Sequence, residues 1–416
     1  MTKEIKQRIE QIKNGEVPRG YKKTKIGIVP NEWEVKTLGE VGEFKKGREV
    51  SKNNVIDDGL PAMMYGDIYI KYNIKFDKVD FRISEETAKK STAVYKGDLL
   101  FTCSGETALE IGKCVCYIGD EIIYIGGDIV AISVKDYNSL FIAYQQNTFQ
   151  SIKEKARLGQ GHSVVHIYSD MISKLNICLP PLREQQKITD ILSTQDKVIE
   201  LKEKLLKEKE KQKKYLMQNL LTGRKRLKGF NGEWKKVKLG EICYCLDNLR
   251  KPLNANERIK IKGNYPYYGA NGVVDYISDY IFETDIILLA EDGGNFEQFE
   301  TKPIAIFVDE KCWVNNHAHI LKAKEEHLNL YIFYSLQHKD IRKYINGTTR
   351  TKLTKSDMEE IILEISMDIE EQKAIAEILT TADKELKLLQ EELEEEKRKK
   401  KVLMQLLLTG IVRVKQ

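Results

Sequence analysis

The sequence has no run long and apolar enough to cross a bilayer. Its most apolar stretch, Glu121 to Val134, is broken by Gly126, Gly127 and Asp128, and a spanning helix needs ~20 apolar residues. The start, Met1-Thr-Lys-Glu-Ile-Lys-Gln-Arg8, lacks the apolar centre of a secretory signal. The seven cysteines are scattered without framework spacing, so a reduced, cytoplasmic setting is expected and membrane and secreted classes drop out. An excess of one charge is also missing. Lys+Arg number 68 against 63 Asp+Glu, a net charge of +5, which neither requires nor excludes a nucleic-acid partner. Over 416 residues, 31% charged and 41% hydrophobic side chains describe a globular protein of two or three domains.

Motifs for chemistry are absent as well. Gly105 to Lys113 resembles a phosphate loop, but the position six before the Lys is Thr107 and Cys114 follows, so the spacing fails. Gly159-x-Gly161 lacks the third glycine of a dinucleotide site. No Asn/Asp-Pro-Pro-Tyr/Phe methyltransferase motif and no carboxylate–lysine nuclease set is found. Cys114-x-Cys116 and Cys243-x-Cys245 place two thiols on one face of a strand, with no second pair to complete a tetrahedral site. His317-x-His319, near Cys312, suits packing or hydrogen bonding better than metal binding. No catalytic residue, metal or bound cofactor is expected of this chain.

What the sequence does have is a copy of itself. Glu184-Gln-Gln-Lys-Ile-Thr-Asp-Ile-Leu-Ser-Thr-Gln-Asp196 matches Glu371-Gln-Lys-Ala-Ile-Ala-Glu-Ile-Leu-Thr-Thr-Ala-Asp383 at an offset of 187. The same offset brings Met217-Gln-Asn-Leu-Leu-Thr-Gly223 onto Met404-Gln-Leu-Leu-Leu-Thr-Gly410. A further pair, Glu32-Trp-Glu-Val-Lys-Thr-Leu-Gly-Glu40 and Glu233-Trp-Lys-Lys-Val-Lys-Leu-Gly-Glu241, stands at an offset of 201. Between these borders, roughly 45–165 and 245–350, no comparable identity is visible. A common frame holds two unlike interiors.

The repeated borders read as long helices. Neither Gly nor Pro occurs from Leu182 to Leu221, and helix formers dominate both copies. A 4–3 apolar spacing runs through Ile188, Leu192, Gln195, Ile199, Lys202, Leu206, Lys209, Lys213, Leu216 and Leu220, and again through Ile375, Leu379, Ala382, Leu386, Leu389, Leu393, Glu396, Lys400, Leu403 and Leu407. That is a coiled-coil seam, charged near its middle. Pro180-Pro181 suits a helix start, Asp368 with Glu371 fits a capping box, and Gly223 and Gly410 suit left-handed C-terminal caps. A whole globular segment separates the copies, so an antiparallel pair is expected; two separate surface helices or a homodimeric coil are the alternatives. The central connector from Thr222 to Trp234 is intact, whereas its counterpart is split between Thr409–Lys415 and Ile28–Trp33. A circular pseudo-twofold arrangement with neighbouring termini would explain this.

Both interiors alternate like strand-rich α+β domains, each closed by a helical piece, near Ser139 to Leu158 and Asn329 to Tyr344. The expected layout is an extension at 1–27, a globular domain at 28–179, the central helix at 180–223, a second domain at 224–366, and the final helix and tail at 367–416. Candidate nucleic-acid contacts in the second domain are Asn295, Asn315 and Asn316, with Thr348, Thr349, Arg350, Lys352 and Lys355 from Gly347-Thr-Thr-Arg-Thr-Lys-Leu-Thr-Lys355. Cations and hydroxyls there suit phosphates, and amides pair bidentately with adenine. In the first domain the candidates are Tyr65, Tyr69 and Lys71, and Gln160, His162 and Ser163 at the position matching the basic cluster.

With these residues the chain resembles the DNA-specificity (S) subunit of type I restriction–modification systems. The carrying motifs are Leu179-Pro-Pro-Leu-Arg-Glu-Gln-Gln-Lys-Ile188, Met217-Gln-Asn-Leu-Leu-Thr-Gly223 and Gly229-Phe-Asn-Gly-Glu-Trp234, with the second-copy counterparts. The second helix departs from the pattern by starting through Ser366-Met-Asp-Ile-Glu370 without the Pro pair. The resemblance implies two target-recognition domains, each reading half of a bipartite DNA site, on opposite strands. It implies helices that set the spacer and dock two modification (M) subunits, with S-adenosylmethionine there and with ATP and Mg in the partners, restriction (R) subunits among them. A fused enzyme with two DNA-binding arms, or a coiled-coil scaffold that binds no DNA, are the competing classes.

Overall fold

The computed structural model describes residues 2–161, 163–347 and 351–414. The chain forms two compact units, Met1–Leu201 with Leu393–Gln416 and Lys202–Glu392. The central helix spans Leu182–Leu220 and the C-terminal helix Ile369–Leu408, so each unit owns part of both. In unit 1, Gln195 donates to the Glu396 carboxylate at 2.6 Å and Lys400 pairs with Asp196 at 2.5 Å. In unit 2 the pairs are Lys202–Glu392, Lys209–Glu385 and Lys213–Asp383, at 2.5–2.7 Å. Rising numbers on one helix meet falling numbers on the other: the pairing is antiparallel.

Every residue of the expected seam is buried or half-buried. Ile188, Leu192, Ile375 and Leu379 are fully covered by the cores of their units. The lysines in the middle of the seam lay their stems along it and carry their ammonium groups to acids of the other helix, so that three ion pairs close that stretch in unit 2. The architecture is the expected α+β fold with an antiparallel coiled coil.

Each helix follows a two-stranded antiparallel ladder, Glu34–Thr37 with Asn176–Leu179 in unit 1 and Trp234–Lys238 with Ile362–Ser366 in unit 2. In the first turn of both helices a buried glutamate is held in the same way. Glu184 accepts Arg413 Nε and Nη2 at 2.7 and 2.8 Å and the Trp33 indole N–H at 3.3 Å. Glu371 accepts Arg226 Nε and Nη2 at 2.7 and 2.9 Å and the Trp234 indole at 3.2 Å. Arg226 reaches its glutamate from the intact connector, Arg413 from the end of the chain. The split half of the repeat therefore rebuilds the same joint without a covalent link.

Other parts of the frame repeat too. Gln185 and Gln372 each accept a backbone N–H at the start of a head helix, from Asn138 and Leu328, at 2.9 Å. Tyr144 and Tyr334 donate to Asp196 and Asp383 at 2.6 and 2.7 Å. One expectation fails. Asp368 does cap the last helix, accepting from Glu370 N at 2.9 Å, but Glu371 does not close a box with it. Its carboxylate turns inward instead, where a guanidinium, an indole and the Ser366 hydroxyl at 2.5 Å satisfy its oxygens.

Gly223 and Gly410 have left-handed backbones, with φ of 66° and 71°. A Cβ on Gly410 would lie 2.5 Å from Pro30 Cδ and 3.3 Å from Trp33. Gly410→Ala is therefore expected to destabilise unit 1 by more than the ~1–2 kcal/mol of a left-handed alanine alone. A calorimetric melt indistinguishable from wild type would contradict that reading of the joint.

The unit 1 head rests on two five-stranded sheets. One has the order Gly42–Lys46, Ile129–Val134, Leu99–Thr102, Cys114–Tyr117, Lys75–Phe76; the other Val55–Ile56, Phe81–Ile83, Leu60–Met63, Ile123–Ile125, Thr92–Val94. The two-residue period of a strand sorts the side chains. Leu99, Phe101, Cys114, Cys116, Val130 and Ile132 join the core with helix Ser139–Gln146, and Leu100, Val115, Ile129 and Ala131 join the core on the other side. Cys114 and Cys116 thus share a buried face, and burial pushes the Cys116 thiol up to about 12.

The unit 2 head has a four-stranded sheet, Cys243–Cys245, Ala318–Ala323, Ile286–Ala290, Ala305–Val308, and a three-stranded one, Gly272–Ile277, Lys262–Gly269, Trp313–Val314. Ile287 and Leu289 join the core with helix Asn329–Gln337, Ile286 and Leu288 the opposite one.

The helical stretches differ in detail from expectation. Ser139 to Leu158 is two helices, Ser139–Gln146 and Phe149–Leu158, because Asn147 Nδ2 bonds the Cys114 and Ala143 carbonyls and the Thr148 hydroxyl starts a new turn. The helix from Asn329 stops at Gln337, and a single turn, Arg342–Tyr344, follows.

Candidate nucleic-acid interface

Both heads carry one equivalent feature beyond the end of an interior strand. After helix Phe149–Leu158 in unit 1 and the turn Arg342–Tyr344 in unit 2 the chain makes a glycine-containing excursion and pairs back on itself. In unit 1 Gln160 and His166 exchange backbone hydrogen bonds at 2.9 and 2.8 Å; in unit 2 Asn346 and Lys352 do so at 2.8 Å each way. The returning residues then pair with the segment after the central strand, His166 with Ser104 and Lys352 with Asp292. Of the candidates proposed from sequence, Gln160 and Ser163 lie on the first excursion and Lys352 on the second.

In unit 1 this feature brings together Tyr69, Gln160 and two groups the sequence reading missed, Ser104 and His166. Tyr69, on helix Tyr65–Ile70, has its hydroxyl 2.7 Å from Thr102 Oγ1 and donates to the Ser104 carbonyl at 3.0 Å. Ser104 Oγ lies 2.8 Å from His166 Nδ1. Tyr69 is thus a half-buried strut, whose hydroxyl burial pushes up to about 12, while Tyr65, Gln160 and Ser163 are at least partly open to solvent. His162 lies outside the described residues. Lys71 is paired with Asp67 and Asp80 at 2.8 and 2.7 Å.

The Gly105–Lys113 loop, rejected as a phosphate site, turns its one lysine into the protein, and Lys155 of helix Phe149–Leu158 is turned inward beside it. Lys113 Nζ donates to the Tyr69 and Tyr72 carbonyls at 3.3 and 2.5 Å. Lys155, fully buried, donates to the Gly112 and Gln146 carbonyls at 2.5 and 2.8 Å, and burial pulls its ammonium down to about 8. Neither lysine is offered to a ligand. Sequence alone gives no sign of this, since a lysine on a short helix normally reads as solvent-facing.

In unit 2, Asn315, Asn316 and His317 line a cleft of ≈ 590 Å³ together with Tyr267, Arg258 and Asn254. Asn315 is buried, its Oδ1 accepting His317 N at 2.8 Å, whereas Asn316 is exposed. Asn295 donates to the Pro303 carbonyl at 3.2 Å and stays half-buried. Lys352 pairs with Glu291 at 3.0 Å and Lys355 with Glu359 at 3.7 Å. Thr348, Thr349 and Arg350 lie outside the described residues. Both lysines are exposed; the Lys355–Glu359 pair is open on both sides and so weak enough to be exchanged for phosphate, whereas the Glu291 partner of Lys352 is largely covered.

Behind the excursion lies a network that the sequence reading did not foresee. Cys245, Asp247 and His319 offer donor atoms within 4.8 Å of one another, the geometry of a potential metal cluster. Its charges are already matched. Arg250 reaches Asp247 at 3.2 Å and also Glu291, and it donates to the Ala318 carbonyl at 3.1 Å. His319 Nδ1 faces Asp247 at 2.6 Å, and Nε2 faces the Leu353 carbonyl at 2.9 Å. Desolvation works against Asp247 and Glu291 being charged, but hydrogen bonds from His319 and Arg250 respectively hold both below the usual carboxylate range. A divalent cation would have to displace Arg250 and find a lone pair on an imidazole whose two nitrogens both face acceptors; the donor set does not fit one.

A duplicated frame carrying two unlike heads, the first with exposed polar candidates (Tyr65, Gln160, Ser163) and the second with exposed polar and basic ones (Asn316, Lys352, Lys355), defines a two-headed recognition protein. The sequence matches the family model "Type I restriction modification DNA specificity domain" twice, over residues 30–211 and 231–397, and the chain belongs to that family. It is 28% identical to the type I restriction enzyme MjaX specificity subunit of Methanocaldococcus jannaschii, over 95% of this chain and 97% of that one. A type I restriction enzyme specificity subunit of Haemophilus influenzae is 36% identical over 141 residues, about a third of each chain. The fold matches the crystal structure of the type I S subunit from M. genitalium with a TM-score of 0.63 at 17% identity, covering 92% of this chain and 97% of that one. Among the described residues no helix is long and apolar enough to cross a membrane.

Proposed function

We propose that the chain is the DNA-specificity subunit of a type I restriction–modification complex. It binds double-stranded DNA at a bipartite site, each head reading one half, while the paired helices set the spacer and dock two M subunits. Methyl transfer from S-adenosylmethionine belongs to those partners, and cleavage with ATP and Mg to R subunits. This chain recognises and does not catalyse.

The observation that carries this reading is the contrast between frame and heads. The Glu–Arg–Trp joint is repeated atom for atom at Glu184 and Glu371, yet the head interiors differ in sequence and in sheet make-up. A repeated holder with unlike contents is what a protein needs to read two different sequences at a fixed separation. The names of the M. jannaschii and H. influenzae relatives support it.

A long-read methylome of a host carrying the chain with its M partners should show one bipartite motif with modified adenine in each half. Exchanging residues 45–165 for the equivalent segment of another specificity subunit should rewrite one half and leave the other and the spacer as they were. Change in both halves, or in neither, would refute the two-head assignment.

A further inference from the structure

We propose that His319 is a positioning residue of the unit 2 head: held as an imidazolium, it fixes Leu353 and with it the neighbouring Lys352, so that Lys352 is held in place for DNA. The inference rests on the reading of Lys352 as a DNA contact.

The argument is one of donors and acceptors. Asp247 Oδ2, 2.6 Å from Nδ1, and the Leu353 carbonyl oxygen, 2.9 Å from Nε2, are groups that carry only lone pairs at neutral pH. Both nitrogens must donate, so both carry protons. Either neutral tautomer would set a ring lone pair against an oxygen, inside a site where His319 is 1% exposed.

Two carboxylates face the ring and favour the charge, and two cations compete with it for them. The Cys245 thiol, at the end of the edge strand, and Asp247, just beyond it, face the ring. Glu291 approaches to 4.0 Å from the segment after the central strand. Arg250 spans both carboxylates, and Lys352, on the excursion itself, takes the other oxygen of Glu291 at 3.0 Å. The neighbouring His317 is separately paired to Asp292 at 2.7 Å. Burial opposes a charged ring, but the hydrogen bonds to Asp247, Cys245 and Leu353 outweigh it and raise the group to about 9.

The stem is pinned where this charge sits. Leu353 N donates to the Glu291 carbonyl at 2.7 Å, and Lys352 is bonded both ways to Asn346. Loss of the His319 proton would place two acceptors face to face at Leu353 and loosen Leu353 and the Lys352 beside it.

The test uses the full-length chain with ¹⁵N-labelled histidine. At pH 7.5 both His319 nitrogens should carry protons, with deprotonation near pH 9. Asp247→Asn removes the counter-charge and should lower that midpoint by two pH units or more. In this variant the Leu353 amide should lose at least tenfold of its hydrogen-exchange protection at pH 8 and regain it at pH 5.5, relative to the Leu288 amide as control. His319→Gln should lose it at both pH values. Mobility shifts on a pool of random 40-base-pair duplexes should weaken at least threefold in step with the Leu353 amide.

An unprotonated nitrogen at pH 7.5, a spectrum remade by zinc chloride, or protection at Leu353 that ignores pH in Asp247→Asn would overturn the proposal. If the Leu353 amide follows the predicted pattern while even the wild-type chain binds no duplex, the anchor stands as a structural one and the DNA reading of this head falls.

Discussion

Replacing Arg413 by alanine is expected to destabilise unit 1 by ~2 kcal/mol. The guanidinium is the cation for Glu184, which is 1% exposed. Stranding a buried carboxylate costs roughly 3–5 kcal/mol, reduced here because Arg413 is itself about 30% exposed and its removal admits water. At that size the melting temperature should fall by ~4–8 °C, and the Trp33 indole N–H, which shares Glu184, should exchange faster while Trp234 does not. Arg226→Ala should produce the mirror result at Trp234, by way of Glu371. Adding Glu184→Gln to Arg413→Ala should recover part of the loss, because a neutral amide needs no counter-ion. If Arg413→Ala melts like wild type, the chain end is not a working replacement for the covalent connector.

Inserting four residues near Leu206 in the central helix and four near Leu389 in the C-terminal helix should lengthen the spacer of the recognised site by about two base pairs. The two positions lie between the same pair of ion-pair rungs, Lys202–Glu392 and Lys209–Glu385, so matched insertions extend both strands of the coil together. Four residues add about 6 Å, against 3.4 Å per base pair. A four-residue insertion is also close to one full helical turn, so it unwinds the seam only locally. Methylome mapping reads the result directly, and an unchanged spacer would remove the helices from their measuring role.

The frame was legible because it is written twice. Glu184 and Glu371, Met217 and Met404, and Gly223 and Gly410 match at one offset, and the seam residues fall at a period that only a helix pair uses. The two left-handed glycines needed no more than their place after the last apolar turn. Glu371 shows where such reasoning ends. Its spacing from Asp368 satisfies a capping box, but local spacing knows nothing of Arg226, 145 residues earlier in the chain, which captures the side chain.

The heads were legible as alternating strands and little more. Ser104 and His166 meet 62 residues apart, Asp247 and His319 72 residues apart, and each is an unremarkable polar residue in its own stretch. Lys113 and Lys155 look like ordinary surface cations in the chain and are spent on buried carbonyls.

The sequence by itself therefore determined the duplication, the helix limits and the family, because these depend on periodicity and identity along the chain. Only the tertiary structure decided between the antiparallel pair and its alternatives, and which charges stay exposed and which are consumed inside the heads. That depends on which acceptor lies within hydrogen-bonding reach across distant segments, and on how much water is left there to compete.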